Sequence, residues 1–153
     1  MMAVILIVED EVFIREMAEM MIQDSSHHTL SASDVDEALS FLRSAQHIDA
    51  LFTDIYLKTL VLGGCDLARQ AIKLRPKLRV LYTTGNYVND KMKALFVEGT
   101  QCLPKPCTQY QLQGRFAAGG PCLNCHARAA DLSRMRLAAA RRRAPRALRS
   151  AAG

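Results

Sequence analysis

Acidic, hydroxyl and ammonium side chains stand in this 153-residue chain just where short apolar runs end. Glu9 and Asp10 follow Ala3 to Val8, Asp54 follows Ala50 to Thr53, Thr84 follows Arg79 to Thr83, and Lys105 follows Cys102-Leu103. Taken singly, a Glu-Asp pair is an ordinary helix cap and a strand-ending aspartate an ordinary turn residue. Taken together they compose a reaction centre. Three carboxylates gathered without a cation would repel one another and raise their own proton affinities, so the set implies a metal. Magnesium suits it, being a hard ion that accepts one or two carboxylates, a carbonyl, waters and phosphate oxygens. Thr84 would donate to a phosphoryl oxygen, and Lys105 would neutralise another as a flexible point charge. Positioning and neutralising a transferring phosphoryl group is most of what such chemistry asks of a protein.

The elements that must bring these residues together are legible from apolar periodicity. Ala3-Val-Ile-Leu-Ile-Val8 is short, β-branched and bounded by acids, as a strand buried on both faces of a parallel sheet should be. Phe13, Met17, Met20 and Met21, with Ile14, Ala18 and Ile22, repeat at helical spacing to about Asp24, and the methionines are expected to pack in the core. A strand over Thr29 to Ala32 precedes Asp34, a helix cap with Glu37 three positions on. A third strand delivers Asp54, and Gly63-Gly64 leads into a helix that Pro76 terminates. Arg79 to Thr83 forms the fourth strand. A helix bearing Met92, Leu95 and Phe96 follows, then the turn residue Gly99 and a short strand near Cys102-Leu103. Thr108 caps a last helix whose apolar face ends at Leu112. Five strands alternating with five helices make a doubly wound α/β fold with a parallel sheet, whose reactive residues gather at the carboxyl ends of the strands.

Half of the residues are hydrophobic, ample for one core, and no apolar run reaches membrane-spanning length. The run from Ala3 lacks a basic leader, so a cytoplasmic protein with no membrane contact is expected. Five scattered cysteines do not form the even framework of a secreted scaffold, and reduced thiols are expected. The net charge of +5 is unevenly distributed. From Gly119 onward eight arginines face the single Asp131, leaving residues 1–118 mildly acidic. The division expected is therefore a folded domain over 1–118 and a basic Ala/Arg-rich tail over 119–153, read as disordered, or as a translated frameshift, with at most weak non-specific nucleic-acid contact. Cys122-Leu-Asn-Cys125-His126 has the C-x-x-C-H spacing of haem attachment or part of a zinc site, but a fourth zinc ligand is not evident and chance accounts for it. His27, His28 and His47 have no partner spacing and read as surface or strand residues.

Val4-Ile-Leu-Ile-Val-Glu-Asp-Glu11, Leu51-Phe-Thr-Asp54, Val80-Leu-Tyr-Thr-Thr-Gly85 and Leu103-Pro-Lys-Pro106 occur in this order, and together they resemble the successive motifs of bacterial response-regulator receiver domains over about residues 1–112. The resemblance implies a flavodoxin-like sheet of order 2-1-3-4-5. It implies Asp54 as phosphoacceptor, with Mg2+ held by Glu9, Asp10, Asp54 and the backbone carbonyl of Tyr56. Thr84 becomes the switch hydroxyl and Lys105 its ionic partner, with a cis Lys105-Pro106 bond. Tyr56 and Asn86 fall where the family tunes the lifetime of the aspartyl phosphate. The partners implied are a sensor histidine kinase or hybrid kinase and an unknown downstream protein, and the chain is a phosphoacceptor in a phosphorelay rather than an enzyme.

Two positions depart from the pattern: Cys102 stands where the family usually places an aromatic residue, and the last helix is short. A phosphatase of the haloacid-dehalogenase type also uses an aspartate nucleophile, a hydroxyl, a lysine and magnesium. It resembles its relatives in a general-acid aspartate two positions after the nucleophile, whereas this chain has Tyr56. A DNA-binding regulator would need a helix-turn-helix domain, and only the arginine tail could serve instead.

Overall fold

The computed structural model describes residues 2–58, 60 and 62–116. Five strands, β1 (Val4–Val8), β2 (His28–Ala32), β3 (Ala50–Asp54), β4 (Arg79–Thr84) and β5 (Gln101–Pro104), alternate with five helices, α1 (Val12–Gln23), α2 (Val35–Arg43), α3 (Gly63–Leu74), α4 (Asp90–Lys93) and α5 (Gln109–Phe116). The strands pair in parallel in the order β2-β1-β3-β4-β5. This is the flavodoxin-like α/β architecture, and its strand order reverses beside β1, where the chain leaves in opposite directions to β2 and β3.

Period-two alternation divides the strands between two cores. Leu6, Val8, Leu51, Val80 and Tyr82 face one side with residues of α2 and α3, while Ile5, Ile7, Phe52 and Leu81 face the other with Ala18, Ile22, Leu112 and Phe116. Burial on both faces explains why β1 and β3 are apolar throughout. Each fully buried aliphatic side chain contributes about 1.5–3 kcal/mol relative to exposure.

The helix ends follow local chemistry. Asp34 accepts the Glu37 amide at 2.8 Å, and the Glu37 carboxylate reaches back to the Ser33 amide at 2.7 Å, closing the N-terminus of α2. Thr108 caps α5 in the same way, its hydroxyl accepting from the Gln111 amide. Three sequence expectations need correction. Ala18 and Ile22 are the buried residues of α1, while Phe13, Met17 and Met20 lie outward, 81%, 52% and 65% exposed. Arg15, Glu16, Glu19 and Gln23 share one face of α1, but the apolar remainder is wider than the strip that lies on the sheet, and Phe13, Met17 and Met20 occupy its outer part. α4 closes at Lys93, with Leu95 and Phe96 beyond it in tighter turns. The apolar face of α5 continues past Leu112 to Phe116, which meets Phe52 edge-on.

His27, read as a surface or strand residue, ties the start of β1 to the end of α1. Its Nδ1 accepts the Ala3 amide at 3.2 Å, and its ring meets Phe116 edge-on. Burial, assisted by nearby positive charge that includes Arg79, lowers its pKa below the ordinary 6.5. A lowered folded value means that the unfolded chain binds the proton more readily, so this contribution is complete above pH 6.5 and is lost as pH falls through the folded value. Urea midpoints should therefore drop between pH 7.5 and 5.5, and His27→Gln should flatten that drop.

Among the described residues no helix is long and apolar enough to cross a membrane. The basic tail and the Cys122 to His126 pattern lie outside the described residues.

Candidate phosphorylation site

Each residue of the predicted constellation leaves the sheet at its carboxyl edge. β1 ends at Val8 and places Glu9 and Asp10 immediately after it, while Asp54 and Thr84 are the last residues of β3 and β4. Lys105 follows β5, and its amide donates to the Thr84 carbonyl at 2.8 Å, continuing the pairing one step beyond Thr84 and Pro104. The Lys105-Pro106 bond is cis, as expected.

The carboxylates converge. One ligand atom from each of Glu9, Asp10 and Asp54 lies within 4.8 Å of the others, with Glu9 2% and Asp54 8% exposed. The Lys105 ammonium donates to Glu9 Oε2 at 2.6 Å and to Asp54 Oδ2 at 2.5 Å. Asp54 keeps its two oxygens on separate partners, since Oδ1 accepts the Tyr56 amide at 3.1 Å. Glu9 is fixed from three sides: its Oε1 accepts the Glu11 amide at 3.2 Å, and its carbonyl accepts from Arg15 at 2.7 Å. Asp10 faces Lys58 at 3.7 Å. Buried Thr84 accepts the Asn86 amide on its hydroxyl at 3.1 Å, which holds the turn after β4.

Burial pushes the Glu9 carboxyl above its usual range, although the Lys105 hydrogen bond and charge and the Glu11 amide oppose the shift. Burial also works against charge on Lys105, but hydrogen bonds to Asp54 and Glu9 outweigh it and hold the ammonium above its ordinary value. The site thus keeps a cation between carboxylates that would otherwise confront one another. Oxygen donors of this number and hardness fit a magnesium ion.

The close approach of α3 to β3 was not anticipated beyond reading Gly63-Gly64 as the end of a loop. A Cβ on Gly64 would stand 1.8 Å from the Asp54 carbonyl oxygen, so only glycine lets the helix start against the residue that carries the central carboxylate. A double glycine soon after a strand-ending aspartate was the available signal. Arg15 and Lys58, which brace Glu9 and Asp10, carried none. On β4, Tyr82 is fully buried in register with half-buried Cys102. Its ring stacks on Phe96 at 4.4 Å and its hydroxyl accepts the Val97 amide at 3.3 Å, while burial pushes its pKa up to about 12.

The family model described as the response regulator receiver domain matches residues 5–117. The chain belongs to that family, and with it the haloacid-dehalogenase alternative falls away. Among solved structures, the chain is similar to a response regulator receiver domain protein of Clostridium thermocellum, with 28% identity and a TM-score of 0.63 over 73% of this chain and 89% of that one. A response regulator receiver protein of Sinorhizobium medicae shares 26% identity with a TM-score of 0.66, over 72% and 88% of the two chains. The receiver domain of the hybrid histidine kinase CckA shares 27% identity with a TM-score of 0.60, over 73% and 94%. The protein is therefore a phosphoacceptor signalling module of the two-component type rather than a true enzyme, and receiver domains take their phosphoryl groups from histidine kinases.

Proposed function

We propose that this protein is a single-domain response regulator, with its receiver unit over 1–118, that accepts a phosphoryl group on Asp54 from a sensor or hybrid histidine kinase and changes conformation in response. The observation that carries the reading is the Lys105 ammonium bridging the buried carboxylates of Glu9 and Asp54, with Asp10 beside them. In the transfer, an Asp54 oxygen forms a bond to phosphorus as the bond from phosphorus to the donor's imidazole nitrogen breaks. Glu9, Asp10, Asp54 and the Tyr56 carbonyl would hold magnesium, whose charge would offset that of the phosphoryl oxygens. Lys105 is already placed at Asp54 to pair with one of those oxygens. The Thr84 hydroxyl, which accepts the Asn86 amide, donates its proton to a phosphoryl oxygen, biasing the loop that follows β4 between two states. Its cytoplasmic location and a downstream protein partner belong to the same proposal, as does weak non-specific nucleic-acid contact through the tail.

Incubation with acetyl phosphate tests this reading by intact mass. One phosphoryl group should be gained with magnesium and none in EDTA, and the gain should be lost in Asp10→Asn at low magnesium. Truncation after Ala118 should leave it unchanged. Labelling of equal extent in EDTA would overturn the metal role.

A further inference from the structure

Lys58, in the loop between β3 and α3, sets a second ammonium group beside the carboxylates. Its backbone is anchored next door: Leu57 is buried in the core, and the Leu60 amide donates to the Leu57 carbonyl at 2.9 Å, closing a turn that presents Lys58 just past its start. The side chain beyond that anchor is 69% exposed, and its Nζ lies 3.7 Å from Asp10 Oδ2.

The two lysines of the site are held in contrasting ways. Lys105 is 17% exposed and donates to Glu9 and Asp54 at 2.6 and 2.5 Å. Lys58 stands in solvent beyond hydrogen-bond range of Asp10, where an ion pair contributes little and a competing cation displaces it readily. Asp10 is 13% exposed and belongs to the carboxylate cluster, so it needs a cation in either state. Three carboxylates face these two ammonium groups, and the metal-free site keeps one negative charge uncompensated. A divalent ion held there reverses that balance and repels Lys58, whereas a dianionic phosphoryl group beside the ion attracts it again. The four-carbon stem lets the ammonium follow the charge while its backbone stays in place.

We propose that Lys58 is a mobile counter-ion of this site, which occupies Asp10 in the metal-free protein, yields it to magnesium and then pairs with a phosphoryl oxygen of the incoming donor. It rests on the Asp54 reading and deepens it by naming a donor-binding residue. No bond or proton of Lys58 changes; its charge opposes the metal alone and favours the metal together with the donor, which couples the two binding events.

Magnesium chloride is the first probe, added to the full chain while nuclear magnetic resonance follows the amides of Glu11 and Tyr56, which donate to the Glu9 and Asp54 carboxylates. Lys58→Gln should bind magnesium about threefold or more tightly than the wild type at low salt, with the difference shrinking as salt rises. Lys58→Arg should stay near the wild type. Lys73→Gln, which removes the same charge from the far end of α3, should leave the affinity unchanged. Acetyl phosphate is the second probe: at saturating magnesium, Lys58→Gln should be labelled about threefold or more slowly, with Lys58→Arg retaining the wild-type rate. Unchanged magnesium affinity in Lys58→Gln, or an equal gain in Lys73→Gln, would overturn the competition at Asp10. An unchanged labelling rate at saturating magnesium would overturn the contact with the donor. The magnesium titration involves no phosphoryl transfer, so its result stands whether or not Asp54 is the acceptor.

Discussion

Gly64→Ala should lower the stability of the protein by about 3 kcal/mol or more, although the substitution adds a single methyl group. The added carbon would lie 1.8 Å from the Asp54 carbonyl oxygen, 2.8 Å from its carbonyl carbon and 3.0 Å from the Ile55 Cα. All three are backbone atoms of a buried strand end, so no side-chain rotation relieves the overlap. Either α3 must move off β3, breaking the Gly64 amide bond to the Ile55 carbonyl, or Asp54 must shift within the site. Urea unfolding measures the loss, and acetyl phosphate labelling of the folded fraction should fall with it. Gly85→Ala is the control, since nothing lies within 4 Å of the carbon it adds, and its midpoint should scarcely change. Comparable midpoints for the two variants would show that the contact is not as tight as described.

Lys105→Met should cost about 3 kcal/mol in EDTA at pH 8, and millimolar magnesium should restore most of it. The ammonium separates side chains of Glu9 and Asp54 that are 3% and 11% exposed, and methionine would leave both carboxylates buried without a cation. Acid should relieve the variant as well, because burial already raises the pKa of Glu9 and loss of Lys105 removes a group that lowers it. The loss should therefore shrink as pH falls toward the raised Glu9 value. The wild type behaves in the opposite sense at alkaline pH. The raised Lys105 pKa gives stability that is complete below the ordinary 10.5 and fades as pH rises through the folded value. A Lys105→Met deficit that neither magnesium nor acid reduces would mean that the lost interaction is packing of the lysine stem. The variant should still be phosphorylated, with its conformational response impaired.

The site was legible because its residues occupy one structural position repeated four times, the end of a buried parallel strand. Apolar runs mark such strands strongly, and topology then gathers Glu9, Asp54, Thr84 and Lys105 without reference to helix detail. Helix phase was harder to read. In α1 the apolar arc is broad, and of its residues Ala18 and Ile22 are buried while Phe13, Met17 and Met20 are exposed. α5 was judged to end its apolar face at Leu112, since Gly114 and Arg115 mask the return of Phe116 to the sheet four residues later. Spacing cannot disclose the contact between Gly64 and Asp54 or the His27 anchor. Each depends on how two distant segments approach in space.

The central claim, that Asp54 accepts the phosphoryl group, is tested most directly by locating the label. The full chain would be phosphorylated with acetyl phosphate and magnesium, trapped with borohydride, digested and sequenced by mass spectrometry. An aspartyl phosphate is a mixed anhydride that this reagent reduces to homoserine, so the modification should fall on residue 54 and vanish in Asp54→Asn. Homoserine at another aspartate, or an unchanged phosphoryl gain in Asp54→Asn, would contradict the account.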